Sequence, residues 1–255
     1  MVRRKAIEMA DGLVGAWESV AEGRVGLLLF TESHYGWAMA HSKRDLPKDS
    51  AEPTTSEAVG LFNAFTAHTG SYRAADGVLS VTRSISTIDH LNGVETPTEY
   101  SIDGDQLKWG GERPDGGRFD LAFRRLEPLG EGPLVGAWKM TGGSGTEGMA
   151  LYTAGHFVAL FHLTQAPARS VPLSELSDQE IAERWRTRGN SLAGSYSFKG
   201  DAFTQRHIVA RDPRSTDRES SWDWDLTGDR GTVRLVSPPT TGGVGRGIEV
   251  SYQRL

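Results

Sequence analysis

Two ionisable side chains stand where a β-strand would aim them into an apolar interior. In LSVTRSIS, Leu79, Val81, Arg83 and Ile85 share one face, while Ser80, Thr82, Ser84 and Ser86 share the other. The small polar face belongs to solvent, which turns Arg83 inward. The corresponding stretch of the second half puts Phe203, Gln205, His207 and Val209 on its inner face. His207 is the candidate for proton transfer, because an imidazole titrates near neutral pH and can take or give a proton there. Arg83 is the second catalytic candidate. A buried guanidinium requires an anion, supplied either by a carboxylate such as Glu99 or Asp89 or by a ligand.

Neighbouring strands repeat the pattern. Ser220, Trp222, Trp224 and Leu226 face one way, and Glu219, Ser221, Asp223 and Asp225 the other. Burying two indoles favours the first set as interior, at about 1.5–3 kcal/mol or more per large apolar side chain. The first-half equivalents are Thr98, Tyr100 and Ile102. Tyr35, Trp37, Met39 and His41 align with Phe157, Ala159, Phe161 and Leu163. The last strands contribute Phe119, Leu121 and Phe123, or Ile248, Val250 and Tyr252. A wall of Trp222, Trp224, Phe203, Phe161 and Tyr252 around Gln205 and His207 has the composition of a small-molecule pocket. The first half offers Trp37, Met39, Tyr100 and Phe123 around Arg83, with His41 at the rim. In the alternative arrangement His207 is tied to Gln205 or a backbone carbonyl, inside a barrel filled by its own side chains.

Other chemistries lack their residues. The chain has 255 residues and no Cys, which excludes disulfides, thiol nucleophiles and Cys-ligated metals. The seven His are scattered, with no H-x-x-x-H or H-E-x-x-H, so no metal site is expected. GGSGTEG (Gly142–Gly148) lacks the Lys-Ser/Thr of a phosphate loop. TTGGVGRG (Thr240–Gly247) precedes a strand rather than a helix, which fails the dinucleotide context. No cofactor is expected, and no G-x-S-x-G is present. A net charge of −5 argues against nucleic acid as the main partner. No apolar run is long enough to span a bilayer, and MVRRKAIEMADG has no continuous apolar core. The expected setting is cytoplasmic, with no membrane partner.

The elements that must position these residues occur twice. LVGAW appears at Leu13–Trp17 and Leu134–Trp138. FTESHY (Phe30–Tyr35) matches YTAGHF (Tyr152–Phe157), and GSY at Gly70–Tyr72 matches Gly194–Tyr196. YSIDGDQL from Tyr100 matches WDLTGDRG from Trp224, and FDLAFRRL (Phe119–Leu126) matches IEVSYQRL (Ile248–Leu255). Five anchors in one order define two copies of one fold, residues 1–128 and 129–255. Each copy opens on a hairpin, 27–31 with 35–41 and 149–153 with 157–163. A helix follows, with a Thr54/Glu57 or Ser177/Glu180 capping box. Ala58, Leu61, Phe62 and Phe65 continue the first helix, and Ile181, Trp185 and Leu192 the second. Strands at 78–90, 95–102, 106–110 and 118–126 finish the first copy; 195–199, 202–210, 220–226, 231–236 and 247–254 finish the second. One short helix among roughly eight antiparallel strands predicts a closed barrel, because closure removes exposed edges. The helices are expected to cover the barrel mouths. His34 and His156 recur at hairpin turns and read as turn architecture. His68 and His90 read as helix-end and loop residues. Val158, Leu160 and His162 form an outer face expected to pack against the other copy, or against a second chain in a homodimer.

L-V-G-x-W, L-[YF]-T-x-x-H, G-S-Y and the G-D turn resemble the bacterial lipocalin-like domain family, over nearly the whole chain and in two tandem copies. LYTAGH (Leu151–His156) and LAGSYSFKGD (Leu192–Asp201) are the closer match; ESHYGW (Glu32–Trp37) and the 41–55 loop depart from the pattern. The resemblance implies an all-β fold of two lipocalin-like barrels, each with one short helix. It also implies likeness to two-domain cyclases and isomerases of natural-product pathways. The expected activity is cofactor-free cyclisation, isomerisation, hydration or elimination of a small, largely apolar substrate. The alternative is a carrier that sequesters an apolar metabolite without turnover.

Overall fold

In a computed structural model, residues 12–48, 52–112, 116–130, 132–142, 146–163, 171–187, 189–200, 202–237 and 249–255 are described. Ile248, most of the two glycine-rich loops and the N-terminal segment lie outside them. The chain forms two closed antiparallel barrels of eight strands each. The first contains β1 (Gly15–Ser19), β2 (Arg24–Phe30), β3 (His34–His41), β4 (Phe65–Ala75), β5 (Val78–Ser86), β6 (Glu95–Asp103), β7 (Gln106–Glu112) and β8 (Arg118–Arg125). The second contains β9 (Gly136–Gly142), β10 (Thr146–Thr153), β11 (His156–Leu163), β12 (Ser191–Lys199), β13 (Ala202–Ala210), β14 (Glu219–Thr227), β15 (Arg230–Ser237) and β16 (Glu249–Arg254). Each strand pairs with the next, and β8 and β16 close back on β1 and β9. The fold is the all-β tandem barrel that the repeats predict. Among the described residues no helix is long and apolar enough to cross a membrane.

The recurring motifs are structural devices. Trp17 and Trp138 plug their barrels, with Nε1 donating to the carbonyls of Leu13 (2.8 Å) and Leu134 (2.6 Å). Arg125 and Arg254 stack over those indoles at 4.0 and 4.2 Å. The tyrosine of each GSY reaches the T-x-x-H turn: Tyr72 donates to the Thr31 carbonyl, and Tyr196 to that of Thr153, both at 2.8 Å. His34 and His156 therefore sit at a shared turn, as their recurrence implies.

The capping boxes start α1 (Thr55–Asn63) and α2 (Asp178–Thr187). In both, the Ser/Thr hydroxyl accepts the glutamate N–H while the carboxylate accepts the cap N–H. The helices stop earlier than the periodicity predicts. Phe65 already belongs to β4 and Leu192 to β12. Among the described residues the helices contribute nothing to the lining of the cavity inside the second barrel. They pack on each other through Ala58, Leu61, Phe62, Ala182 and Trp185. Beside them the barrels share an apolar core of Leu27, Leu29, Ala38 and Ala40 against Met149, Leu151, Val158 and Leu160. The outer face at Val158 and Leu160 is thus covered by the other repeat.

One departure from strict alternation occurs at the same place in both copies. Thr69 pairs with Ile85 but Gly70 with Arg83, leaving Ser84 as an extra residue. Ala193 pairs with Val209 but Gly194 with His207, leaving Ile208 extra. These β-bulges rotate the following residue to the other face. Ile85 and Val209, expected inside, therefore join the core between the barrels. The glycine of GSY is what allows the bulge. A Cβ on Gly194 would lie 1.9 Å from the Arg206 carbonyl oxygen, and on Gly70 1.9 Å from that of Thr82. Gly194→Ala is expected to cost about 3 kcal/mol or more, since backbone cannot yield to it. Gly60→Ala, in open space on α1, should instead stabilise by about 0.5–1 kcal/mol. Denaturant midpoints at constant m-value measure both.

Candidate functional site

The second barrel is hollow, with a cavity of about 820 Å³. It opens at the strand ends near Gly142, Thr146, Gly189 and Arg218. Its apolar walls are Phe157, Ala159, Phe161, Leu192, Phe203, Trp222 and Val233. Tyr152, Tyr252, Gln205, His207 and Ser220 are its buried polar points.

Register explains why this barrel has room. β3 and β11 align with Trp37 opposite His68 and Ala159 opposite Leu192. β7 and β15 align with Trp109 opposite Tyr100 and Val233 opposite Trp224. Leu28 and Ala150 occupy matching positions opposite the plugging tryptophans. Three large side chains of the first barrel are thus small in the second. Trp109 fills the first interior, with ring contacts to Tyr35, Trp37, His68, Phe119 and Phe123 at 5.7–6.5 Å.

At the deep end of the cavity, the hydroxyls of Tyr152 and Tyr252 lie 3.1 Å apart, and Gln205 Nε2 donates to Tyr152 at 3.3 Å. Burial pushes Tyr252 up to about 12 and Tyr152 well above 10. Both keep their protons at neutral pH. One proton is used between the two oxygens and the other is left for a ligand oxygen.

Toward the mouth, His207 leaves β13 just before the bulge. Its Nδ1 lies 3.2 Å from the Ser215 carbonyl oxygen, and its Nε2 3.4 Å from Ser220 Oγ. A carbonyl only accepts, so Nδ1 carries the proton and Nε2 presents its lone pair. Ser220 Oγ accepts from Trp222 Nε1 at 2.8 Å, which directs its own O–H toward His207. The turn at Pro213–Ser215 that supplies the carbonyl is capped by the Asp212 carboxylate. Burial lowers the His207 pKa, the Ser215 contact opposes this, and the nearby Arg218 lowers it further. The imidazole is neutral at pH 7 and able to act as a base.

The predicted site residues separate into two groups. His207, Gln205, Phe203, Phe161, Trp222 and Tyr252 line the one cavity. Trp224 packs on Phe198 at 5.3 Å and is not part of its lining. Arg83, Trp37 and Tyr100 belong to the first barrel, and His41 is exposed at the end of β3. Arg83 and His207 therefore do not converge. Arg83 takes no carboxylate partner among the described residues. Its Nη1 donates to Thr96 Oγ1 at 2.9 Å, and its Nε has no partner there. Glu99 pairs with Arg118 on the surface. His68, read as a helix-end residue, is inside the first barrel at 3% exposure, with Nδ1 3.0 Å from Tyr35 Oη. Sequence reasoning placed Ser220 on the inner face without assigning it chemistry, and passed over Tyr152 and Val233. Comparing the two repeats position by position would have exposed Val233 through Trp109.

These buried imidazoles set a pH dependence. Burial lowers the pKa of His207 and holds His68 well below 6.5, with Arg83 lowering His68 further. The unfolded chain then binds more protons than the folded one just below pH 6.5. Stability is complete above that value and is lost as pH falls through it. Tm should drop between pH 7.5 and 5.5, above the usual carboxylate range. His68→Leu should flatten that drop, whatever it does at pH 8.

No protein-family model matches the chain, and no curated protein matches it. Among solved structures it is similar to a protein of unknown function from the DUF3598 family of Nostoc punctiforme. That likeness covers 98% of this chain and 99% of that one, at 11% identity and a TM-score of 0.21. It is also similar to the DNA polymerase III subunit beta of Pseudomonas aeruginosa, at 11% identity and a TM-score of 0.13, covering 100% of this chain and 62% of that one. At these scores neither likeness carries an argument, and the tandem barrels rest on their own strand ladders.

Proposed function

We propose that the chain is a cofactor-independent enzyme of the lipocalin-like kind. In this reading the C-terminal barrel holds a small, largely apolar, natural-product-like molecule and His207 moves a proton on it. The observation that carries the reading is a neutral, oriented imidazole on the wall of a cavity of about 820 Å³ lined mainly by aromatic and aliphatic side chains. His207 would remove a proton from bound substrate, while a tyrosine hydroxyl at the deep end would bond to an oxygen that gains charge. Cyclisation, isomerisation, hydration and elimination all draw on such a pair. Non-catalytic carriage of an apolar metabolite is the second reading, and one observation favours it: both ring nitrogens of His207 already have protein partners.

The test is His207→Gln, assayed for binding by tryptophan quenching and for turnover by product analysis over a panel of apolar ligands. The enzyme reading expects kcat to fall about 10²–10⁴-fold with affinity changed only a few-fold. A carrier gives no product with either chain, and only the affinity moves.

A further inference from the structure

We infer that Ser220 is a nucleophile activated by His207, and that the C-terminal barrel takes an ester with an apolar acyl chain. This rests on the proposed ligand binding in that barrel and specifies its chemistry. Three parts of a nucleophile–base–orienter relay are in place. Ser220 Oγ is the nucleophile, His207 Nε2 the base at 3.4 Å, and the Ser215 carbonyl the orienter at 3.2 Å. Trp222 Nε1 donates to Oγ, so the serine uses its own O–H as the donor toward Nε2. Ser220 and His207 are 6% and 8% exposed and both line the cavity, so the pair faces the guest. The pairing of Gln205 with Ser220 across β13 and β14, and the bulge after His207, create the contact. The matching pair in the first barrel is Arg83 and Thr96, also hydrogen-bonded, through Arg83 Nη1. A guanidinium cannot take the hydroxyl proton, and that interior is filled. Among the described residues, the hollow repeat therefore combines a base, a hydroxyl and space for a substrate, and the Arg83–Thr96 pair does not.

The step balances as acyl transfer to water. The Ser220 hydroxyl proton passes to Nε2 as the Oγ–acyl bond forms. The ester C–O bond breaks, and the departing alcohol takes the proton from the imidazolium. Water then adds to the acyl carbon and gives a proton to Nε2. The Oγ–acyl bond breaks and Ser220 regains its hydrogen. The products are a carboxylic acid and an alcohol. Arg218, the cation in the cavity lining, is the group available to the oxygen that gains charge.

The full chain is incubated with p-nitrophenyl octanoate and, separately, with an alkyl fluorophosphonate. Binding is followed by tryptophan quenching and labelling by intact mass and peptide mapping. The expected result is a burst of nitrophenol and a single adduct on Ser220. Ser220→Ala abolishes the adduct but still binds the ester, and His207→Gln slows acylation about 10²-fold or more. Ser220→Cys, which restores a nucleophile, is acylated again, and Ser221→Ala, on the opposite face, labels like the parent. If the ester binds but Ser220 is not labelled, or Ser220→Ala turns over at the parent rate, the nucleophile assignment is wrong while the binding proposal stands. If neither compound binds, both fail.

Discussion

Val233→Trp combined with Ala159→Trp is expected to weaken uptake of an apolar guest by the C-terminal barrel about 100-fold while the chain keeps its fold. The two positions correspond by register to Trp109 and Trp37, the pair that helps fill the first barrel. The second barrel has the same strand order, the same bulge and the same plugging tryptophan, so it can take these rings in a similar arrangement. Both side chains line the cavity. Every 100 Å² of apolar ligand surface kept out of water is worth about 2.5 kcal/mol, nearly two factors of ten in affinity. Losing space for that much contact weakens binding about 100-fold. Overpacking elsewhere costs about 1–3 kcal/mol, but here the new rings enter empty volume, so Tm should change little. Titration with a fluorescent apolar dye reads the effect. Undiminished dye binding would mean that guests dock outside this cavity. Arg234→Trp, on the same strand but exposed and outside the lining, is the control expected to bind as the parent does.

The parts of this molecule that were legible in the sequence are the ones built from local chemistry. Each repeated motif is a self-contained device: Trp17 under Arg125, Tyr72 on the Thr31 carbonyl, Thr54 with Glu57. Period-two alternation placed Phe203, Gln205, His207 and Trp222 correctly, because β13 and β14 are regular over those residues. It failed at Ile85 and Val209, where one extra residue reverses the face and nothing local marks it except the glycine across the ladder. The helix reading failed at His68 and Leu192. The helix signal from the capping boxes overran a chain that turns back into strand by Phe65 and Ser191. Which barrel is hollow depends on side chains from distant strands filling, or not filling, one volume. Leu28, Trp37 and Trp109 against Ala150, Ala159 and Val233 decide it, and no single strand contains that contrast. Ser220 is one serine among several; only cross-strand pairing brings its hydroxyl to His207.

Trp109→Val, the reciprocal change, is expected to destabilise the chain by about 3–5 kcal/mol, the range for deleting a large buried aromatic side chain. Trp109 is 2% exposed and touches five other rings, so its removal leaves a void that the rigid strands around it cannot close. The polar contribution is small. Thr98 Oγ1 loses the indole N–H at 2.8 Å but still donates to the Leu79 carbonyl at 2.6 Å, so no buried donor is orphaned. Nearly all the cost is lost packing. The barrels are joined by a core of Leu27, Leu29, Met149, Leu151, Val158 and Leu160, and by the α1–α2 contact. That shared apolar core should make them unfold together, so a single transition moves to lower denaturant rather than splitting into two. The void should also give the first barrel the property that distinguishes the second, uptake of a small apolar guest. Calorimetry with and without benzene reads both effects in one variant. A Trp109→Val chain that is destabilised and regains stability with benzene would show that one interior ring separates the filled barrel from the hollow one. Unchanged stability would mean that the indole occupies space its neighbours can fill without it.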